Sequence, residues 1–165
     1  MTTVYIDKRL GVLLTDSKVT STEQRSFLNL FPLKPKLSYG VVSQKTLYVH
    51  DRLFSACGEV SEINKVLRYL ISQETVIPDR KASCHCVLVS KDYIIHLIVN
   101  KGKFTKKIDY LHNDYTFFMG SGGEYMLDAA VHEECNTLLD KVFDTFMDVH
   151  NHDIYTDDNI NVYRF

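Results

Sequence analysis

The sequence predicts an α+β fold in which antiparallel sheets carry helices on their outer faces. Most of the chain consists of short apolar segments bounded by turn residues, which is typical of strands. Three segments instead space their apolar residues at helical intervals. The order of strands, one helix, strands, a helix pair and a final strand differs from the regular β-α-β alternation that builds a parallel sheet.

The first half of the chain contains two predicted strand pairs followed by a helix. Tight turns are expected at Leu10-Gly11 and at His50-Asp51. The predicted strands are residues 4–9, 11–19, 45–49 and 52–57. The helix begins after Gly58, and its predicted apolar face consists of Val60, Ile63, Val66, Leu67, Leu70 and Ile71.

The second half of the chain continues with strands and then two helices. Turns are expected at Lys91-Asp92, at residues 100–102 and in the glycine-rich segment 120–123. The predicted strands are residues 83–90, 93–99, 103–108, 115–119 and 161–165. The two predicted helices are residues 124–132 and 136–149.

Residues 21–44 have no clear period and contain Pro32, Pro35 and Gly40. We expect a long irregular connection here, with the character of an insertion. Its apolar residues, from Phe27 to Phe31, either form an interface with another molecule or fold back on the body of the protein.

Length, composition and charge limit the classes of function. A chain of 165 residues that is 45% hydrophobic is expected to form one domain, residues 1–165, around one core. The net charge of −2 gives no excess for binding nucleic acid. Charged residues at 7–9 interrupt the apolar start, and no segment is long enough to span a bilayer, so a cytoplasmic protein is expected.

The four cysteines are interpreted as reduced residues of a cytoplasmic protein. Cys57 and Cys86 are expected to be small buried hydrophobic residues. The run Cys84-His85-Cys86 could suggest a metal site, but alternate strand residues share a face, which would pair the two thiols without His85. No second Cys/His pair has matching spacing, so strand packing is favoured.

Four separated segments resemble one protein family. They are a Thr-Thr start with a glycine strand ending in Asp-Ser-Lys-Val-Thr, a Ser-Ala-Cys-Gly turn, a Gly-Ser-Gly-Gly turn, and a tail with Asp-Ile-Tyr-Thr before Asn-Val-Tyr. These four segments are residues 1–20, 54–58, 119–125 and 153–163. In this order and spacing they resemble the proteasome β-subunits and the bacterial HslV protease, which are N-terminal-nucleophile hydrolases.

The resemblance implies a fold, an assembly and an activity. The fold is a four-layer αββα sandwich of two antiparallel sheets, and the subunits form a homo-oligomeric ring. The activity is hydrolysis of peptide bonds in a polypeptide substrate, with no required cofactor. Because the chain has no P-loop, the resemblance also implies a separate ATP-dependent unfoldase as a partner.

The implied nucleophile is Thr2, once Met1 has been removed. Its free α-amine would act as the base, because an amine with a pKa of about 8 needs little tuning for this role. The resemblance places Asp16 beside Thr2 on the neighbouring strand. Lys45 is the best match for the lysine that raises the local positive potential, with Lys34 and Lys36 as alternatives.

The remaining implied residues surround this centre. Gly58 would donate its backbone N–H to the oxyanion, and Thr20 together with Gly58 would contact substrate. Ser121, Asp153 and Thr156 would complete a network around the amine. The backbone carbonyls of His150, Asp153 and Thr156 match positions that can hold a structural cation in relatives.

Three features depart from the family pattern. Glu59 stands where a small residue is usual, and Asp157 and Asp158 replace a Gly-Gly pair, which adds negative charge near the implied site. A retained Met1 would remove the free amine of Thr2. The sequence therefore leaves two alternatives to a peptidase, namely a non-catalytic ring-forming or interaction protein, and a hydrolase of a small amide.

Overall fold

The computed structural model describes residues 3–27, 31–41, 45–123, 144, 149, 153 and 159–165. Eleven strands and one helix are described in these residues. The first six strands are β1 (Val4–Asp7), β2 (Val12–Asp16), β3 (Lys18–Phe27), β4 (Phe31–Val41), β5 (Thr46–Val49) and β6 (Arg52–Gly58). The helix α1 (Val60–Ser72) follows, and then β7 (Ser83–Val89), β8 (Tyr93–Asn100), β9 (Lys103–Tyr110), β10 (Thr116–Met119) and β11 (Ile160–Arg164).

The first sheet has four strands in the order β10-β1-β2-β11, and every neighbouring pair is antiparallel. In the β1–β2 hairpin Val4 is paired with Thr15, and in the next pair Ile160 is paired with Asp16. The start of β1, the end of β2 and the start of β11 therefore meet at one end of this sheet.

The second sheet is an antiparallel meander of five strands, β5 to β9 in sequence order. The turn predicted at His50-Asp51 is confirmed, since both residues have positive φ values, 47° and 61°. Such a two-residue turn matches the right-handed twist of the strands that it joins. Lys101 and Gly102 form the turn between β8 and β9 in the same way.

One core cluster lies between the two sheets, and residue alternation along the strands builds it. Val4, Ile6 and Leu13 of the first sheet belong to one cluster with Leu53, Val87, Val89 and Ile94 of the second. The residues between them point to the opposite faces, because successive strand side chains alternate. These strands are therefore buried on both faces, which explains their nearly continuous apolar sequences.

Helix α1 covers the outer face of the second sheet. Val66 is fully buried there, and Ile63, Leu67 and Leu70 pack against the same cluster. The prediction was wrong for Val60 and Ile71, whose exposed fractions are 66% and 61%. At 3.6 residues per turn these two positions lie about 120° and 140° from Val66, which is outside the face in contact with the sheet.

The prediction of an irregular connection at residues 21–44 was wrong for most of that segment. β3 and β4 form a two-stranded antiparallel ribbon, with a shift of register between Glu23 and Arg25. Pro32 and Pro35 lie within β4, which has only one partner strand in the described residues. A proline is compatible with such an edge strand because no second strand needs a hydrogen bond from the N–H that proline lacks.

Two facing antiparallel sheets with a helix outside them are consistent with the predicted sandwich. The predicted helices 124–132 and 136–149 lie outside the described residues, apart from Asp144 and Val149, which have helical backbones. Val149 is buried in a cluster with Tyr5 and Leu14 on the outer face of the first sheet. In the part of the chain that is described, no helix has the length and apolar character needed to cross a membrane.

Candidate active site

The carboxylate of Asp16 is the centre of the candidate site. Asp16 ends β2 and is completely buried. Its Oδ1 accepts a hydrogen bond from the backbone N–H of Thr3 at 2.8 Å. Its Oδ2 accepts one from the ammonium of Lys45 at 2.9 Å and one from the backbone N–H of Lys18 at 3.2 Å. A buried carboxylate with three donors is held in one orientation, and the hydrogen bonds compensate for its burial.

The strand register brings Thr3 to Asp16. Because Val4 is paired with Thr15, the next position outward places Thr3 opposite Asp16, and the Asp16 N–H donates to the Thr3 carbonyl at 3.3 Å. The chain entering β1 is therefore held by both the backbone and the side chain of Asp16. The resemblance implied a position for Asp16 beside Thr2, which lies outside the described residues, so that placement stays a prediction.

Lys45 provides the positive charge of the site. It lies just before β5, and its side chain is only 7% exposed. An ion pair in such a position gains little net stability, but removing one partner leaves a buried charge without compensation. The alternatives Lys34 and Lys36 lie on β4, and their side chains are outside the described part of the structure.

Thr3 is a site residue that the sequence prediction missed. It is fully buried, and its Oγ1 accepts a hydrogen bond from the backbone N–H of Gly122 at 3.1 Å. This contact joins the glycine-rich turn after β10 to the start of β1. The signal that could have identified Thr3 is its place after Thr2, at the position that pairs with Asp16.

The hydroxyl of Ser121 is buried beside this contact. Within the described residues its Oγ has no hydrogen-bond partner. An unpaired buried hydroxyl costs free energy, so such a group is usually satisfied by water or by a reacting partner.

Gly58 occupies a position where only glycine fits. Its φ is +113°, and a Cβ there would lie 2.5 Å from the Ser83 carbonyl oxygen and 2.6 Å from the Cys84 Cα. The turn from β6 to α1 is fixed by the N–H of Glu59, which donates to the same Ser83 carbonyl at 3.0 Å. Glu59 itself is exposed, so its carboxylate lies at the surface beside this turn.

A pocket of about 330 Å³ connects Gly58 with the glycine-rich turn. Its wall includes Gly58, Gly120, Cys84 and His85, together with apolar atoms of Ile98 and Val99. Gly120 belongs to the same turn as Gly122, whose N–H donates to Thr3. A chain segment bound there would pass the Gly58 backbone.

Cys57 and Cys84 line the pocket, and Cys86 lies next to Cys84. Cys84 and Cys86 share one face of β7 as predicted, with 3.9 Å between their sulfur atoms. Cys57 is only partly buried, which differs from the prediction, because it lies at the end of β6 beside the pocket. No cluster of three metal-binding side chains occurs in the described residues.

Several predicted site residues fall outside the described residues. These are Thr2, Thr156 and His150, together with the side chain of Thr20 on β3 and the departures Asp157 and Asp158. Asp153 is described and buried, and its N–H donates to the Val149 carbonyl at 2.8 Å. The cation site predicted at His150, Asp153 and Thr156 therefore stays a prediction.

The fold resembles the solved structure of eukaryotic HslV from Trypanosoma brucei. The alignment covers 98% of this chain and 97% of that chain, with a TM-score of 0.55 and a sequence identity of 11%. No family model matches the chain, and no curated protein sequence matches it. At this identity the likeness shows the fold alone, which is that of a proteasome/HslV-like protein.

Proposed function

We propose that this protein is a threonine peptidase subunit of a self-compartmentalising protease, with Thr2 as nucleophile after removal of Met1. The observation that supports this most is the buried Asp16 carboxylate, which holds both the Lys45 ammonium and the Thr3 amide. Thr2 is joined to that amide by one peptide bond. The fold likeness to HslV over nearly the whole chain gives the proposal its second support.

In the proposed mechanism each group has one task. The Thr2 amine takes the hydroxyl proton, and the hydroxyl oxygen attacks the substrate carbonyl carbon. The Gly58 N–H stabilises the oxyanion, and the amine returns the proton to the leaving nitrogen. Water then hydrolyses the resulting ester and restores Thr2. The charge of Lys45 favours the neutral amine and the developing alkoxide.

The proposal includes partners and a location. The subunits assemble into a homo-oligomeric ring, the substrate is an unfolded polypeptide, and a separate ATP-dependent unfoldase supplies it. The protein acts in the cytoplasm without nucleic acid or membrane, and a structural cation at His150, Asp153 and Thr156 is part of the proposal. Thr20, Ser121, Asp153 and Thr156 surround the nucleophile and the bound substrate.

Hydrolysis of fluorogenic peptides tests the function. We expect activity in the wild-type protein, no activity in Thr2→Ala, and partial activity in Thr2→Ser, which keeps a hydroxyl. Thr105→Ala is the matched control, because Thr105 is an exposed threonine on β9. Full activity in Thr2→Ala would show that the nucleophile lies elsewhere.

A non-catalytic ring subunit is the second candidate. It is favoured by the exposed Glu59 next to Gly58, because a carboxylate there opposes the developing oxyanion. Intact-mass measurement of the purified protein distinguishes the two candidates, since a retained Met1 in functional material would leave Thr2 without a free amine. A small-amide hydrolase would instead cleave short amides and leave polypeptides intact.

A further inference from the structure

Three polar residues form a row across neighbouring strands of the second sheet. His85 lies on β7, His96 on β8 and Asp109 on β9. His85 Nε2 is 3.1 Å from His96 Nδ1, and His96 Nε2 is 3.3 Å from Asp109 Oδ2. The contact between His96 Nε2 and Asp109 does not have the geometry of a good hydrogen bond, so its effect is mainly electrostatic.

One aromatic ring packs against the two histidines of this row. Phe117 of β10 contacts both imidazoles edge to face, with ring centroids 4.8 Å from His96 and 5.6 Å from His85. His96 is only 4% exposed. Little water can reach the two ring nitrogens between the histidines, so each of them has the other as its partner.

Asp109 is the charged end of the row. The Lys107 ammonium lies 2.9 Å from Oδ1 and 3.0 Å from Oδ2 of Asp109. The hydrogen bond from Lys107 is the largest of the effects that lower the pKa of Asp109 below its ordinary value. Asp109 is therefore ionised at neutral pH and presents a negative charge to His96.

The charge of Asp109 selects the tautomers of both histidines. A neutral imidazole has one protonated and one unprotonated nitrogen, and an unprotonated Nε2 of His96 would place a partial negative charge 3.3 Å from the Asp109 carboxylate, which repels it. His96 therefore carries its proton on Nε2, which makes its Nδ1 an acceptor. His85 must then donate from Nε2, and its own Nδ1 is left unprotonated.

His85 is neutral at physiological pH and faces the pocket beside Gly58. Burial, followed by the positive charge that His96 can carry, lowers the pKa of His85 to about 4. Its side chain lines the pocket of about 330 Å³. Its Nδ1 makes no hydrogen bond within the described residues and is not one of their buried unpaired side-chain atoms, so the lone pair is available to a ligand.

We propose that His85 is a fixed hydrogen-bond acceptor in the pocket beside Gly58, and that this pocket selects substrate side chains that carry an N–H or O–H donor. The proposal rests on the peptidase function for the identity of the ligand, a peptide side chain. His96 and Asp109 are positioning residues, since they act only through His85. A ligand without a donor would leave the acceptor desolvated and unpaired.

The tautomer itself can be measured without any activity. Nitrogen-15 NMR of histidine-labelled protein, with His85 identified from its loss in His85→Phe, should show a protonated Nε2 and an unprotonated Nδ1. Asp109→Asn removes the charge that selects the tautomer, so the two nitrogen shifts of His85 should move toward each other. A proton on Nδ1 in the wild-type protein would overturn the proposal, as would an unchanged pair of shifts in Asp109→Asn.

Peptide epoxyketones test the selection of side chains. Peptides with asparagine are compared with peptides with leucine, and threonine with valine, at each of the three positions nearest the reactive group. The two side chains of each pair have similar shapes, but only one of them carries a hydrogen-bond donor. At one position the donor-bearing peptide should label the wild-type protein about threefold to tenfold faster, the effect of one hydrogen bond. His85→Phe should remove this preference, and a preference that survives it would contradict the proposal.

If no epoxyketone labels the protein, that result counts against the peptidase function. The role of His85 as a hydrogen-bond acceptor can still be tested. Acetamide, which has N–H donors, should then move the Nδ1 signal of His85, whereas N,N-dimethylacetamide should not. Equal movement with both probes would overturn the acceptor. If His85→Phe does not fold, Asp109→Asn is the second variant, since the Asp109 side chain is 25% exposed. It removes the charge that keeps Nδ1 unprotonated, so it should weaken the response of the Nδ1 signal to acetamide, and an unchanged response would contradict the proposal.

Discussion

The Lys45 ammonium and the Asp16 carboxylate lie 2.9 Å apart with only 7% and 0% of their side chains exposed. The other oxygen of Asp16 accepts from the Thr3 amide at 2.8 Å. One carboxylate thus connects the cation to the first residues of the chain. A change at Lys45 should therefore affect both the stability of the fold and the position of Thr2.

Lys45→Met should destabilise the protein by about 3–5 kcal/mol, because it leaves the buried carboxylate of Asp16 without its cation. Urea denaturation measures this, with Lys106→Met on the exposed face of β9 as the matched control. The double variant Asp16→Asn with Lys45→Met should lose less free energy of unfolding than the two single variants lose in sum. Additive losses would show that the pair is not coupled.

Gly58→Ala should unfold at a clearly lower temperature than the wild-type protein. The new Cβ would meet the Ser83 carbonyl oxygen at 2.5 Å, and backbone cannot yield as a flexible side chain can. Gly102→Ala is the control, because its positive φ of 77° is similar in kind but its nearest contact is the Arg80 side chain at 3.1 Å. Equal effects would mean that backbone strain alone, and not the close approach, fixes Gly58.

The sequence predicted the sheets better than the site, for physical reasons. Strands with tight turns, such as the pair around His50, follow from local patterns, and these predictions are confirmed. The β3–β4 ribbon was missed because its prolines oppose strands in general and are tolerated only at an edge. Whether a strand is at an edge depends on tertiary pairing.

Predicting the candidate site from the sequence would require the register of the strands. Asp16 and Lys45 were named from a resemblance, and the structure places them in contact. Thr3 and the His85–His96 contact were not predicted, because each depends on which residues face one another across a sheet. Single-sequence patterns do not contain that information when both faces of a strand are buried.

Stability should depend on pH through His85. Its pKa in the folded protein is lowered from 6.5 to about 4, so between these values the unfolded chain binds a proton that the folded protein does not. The free energy of unfolding should therefore decrease as pH falls from about 6.5 to about 4. His85→Gln should show a shallower decrease in urea titrations over this range, and identical slopes would contradict the lowered pKa.

The protein should form a closed oligomer at micromolar concentration. Val60 and Ile71 expose 66% and 61% of their surface on α1, and Ile77 exposes 75% just beyond it. We expect another subunit to cover these apolar side chains. Light scattering should give a mass several times 19.1 kDa, and Ile71→Glu should lower it. A monomer at every concentration would argue against the ring.

Peptide-epoxyketone labelling followed by intact-mass and fragment analysis tests directly whether Thr2 is the nucleophile. The reagent forms its stable ring only with a residue that offers both a hydroxyl and a free α-amine. We expect a protein that lacks Met1 and carries one adduct per chain on Thr2, with no adduct in Thr2→Ala. Functional protein that retains Met1, or an adduct on any other residue, would contradict it.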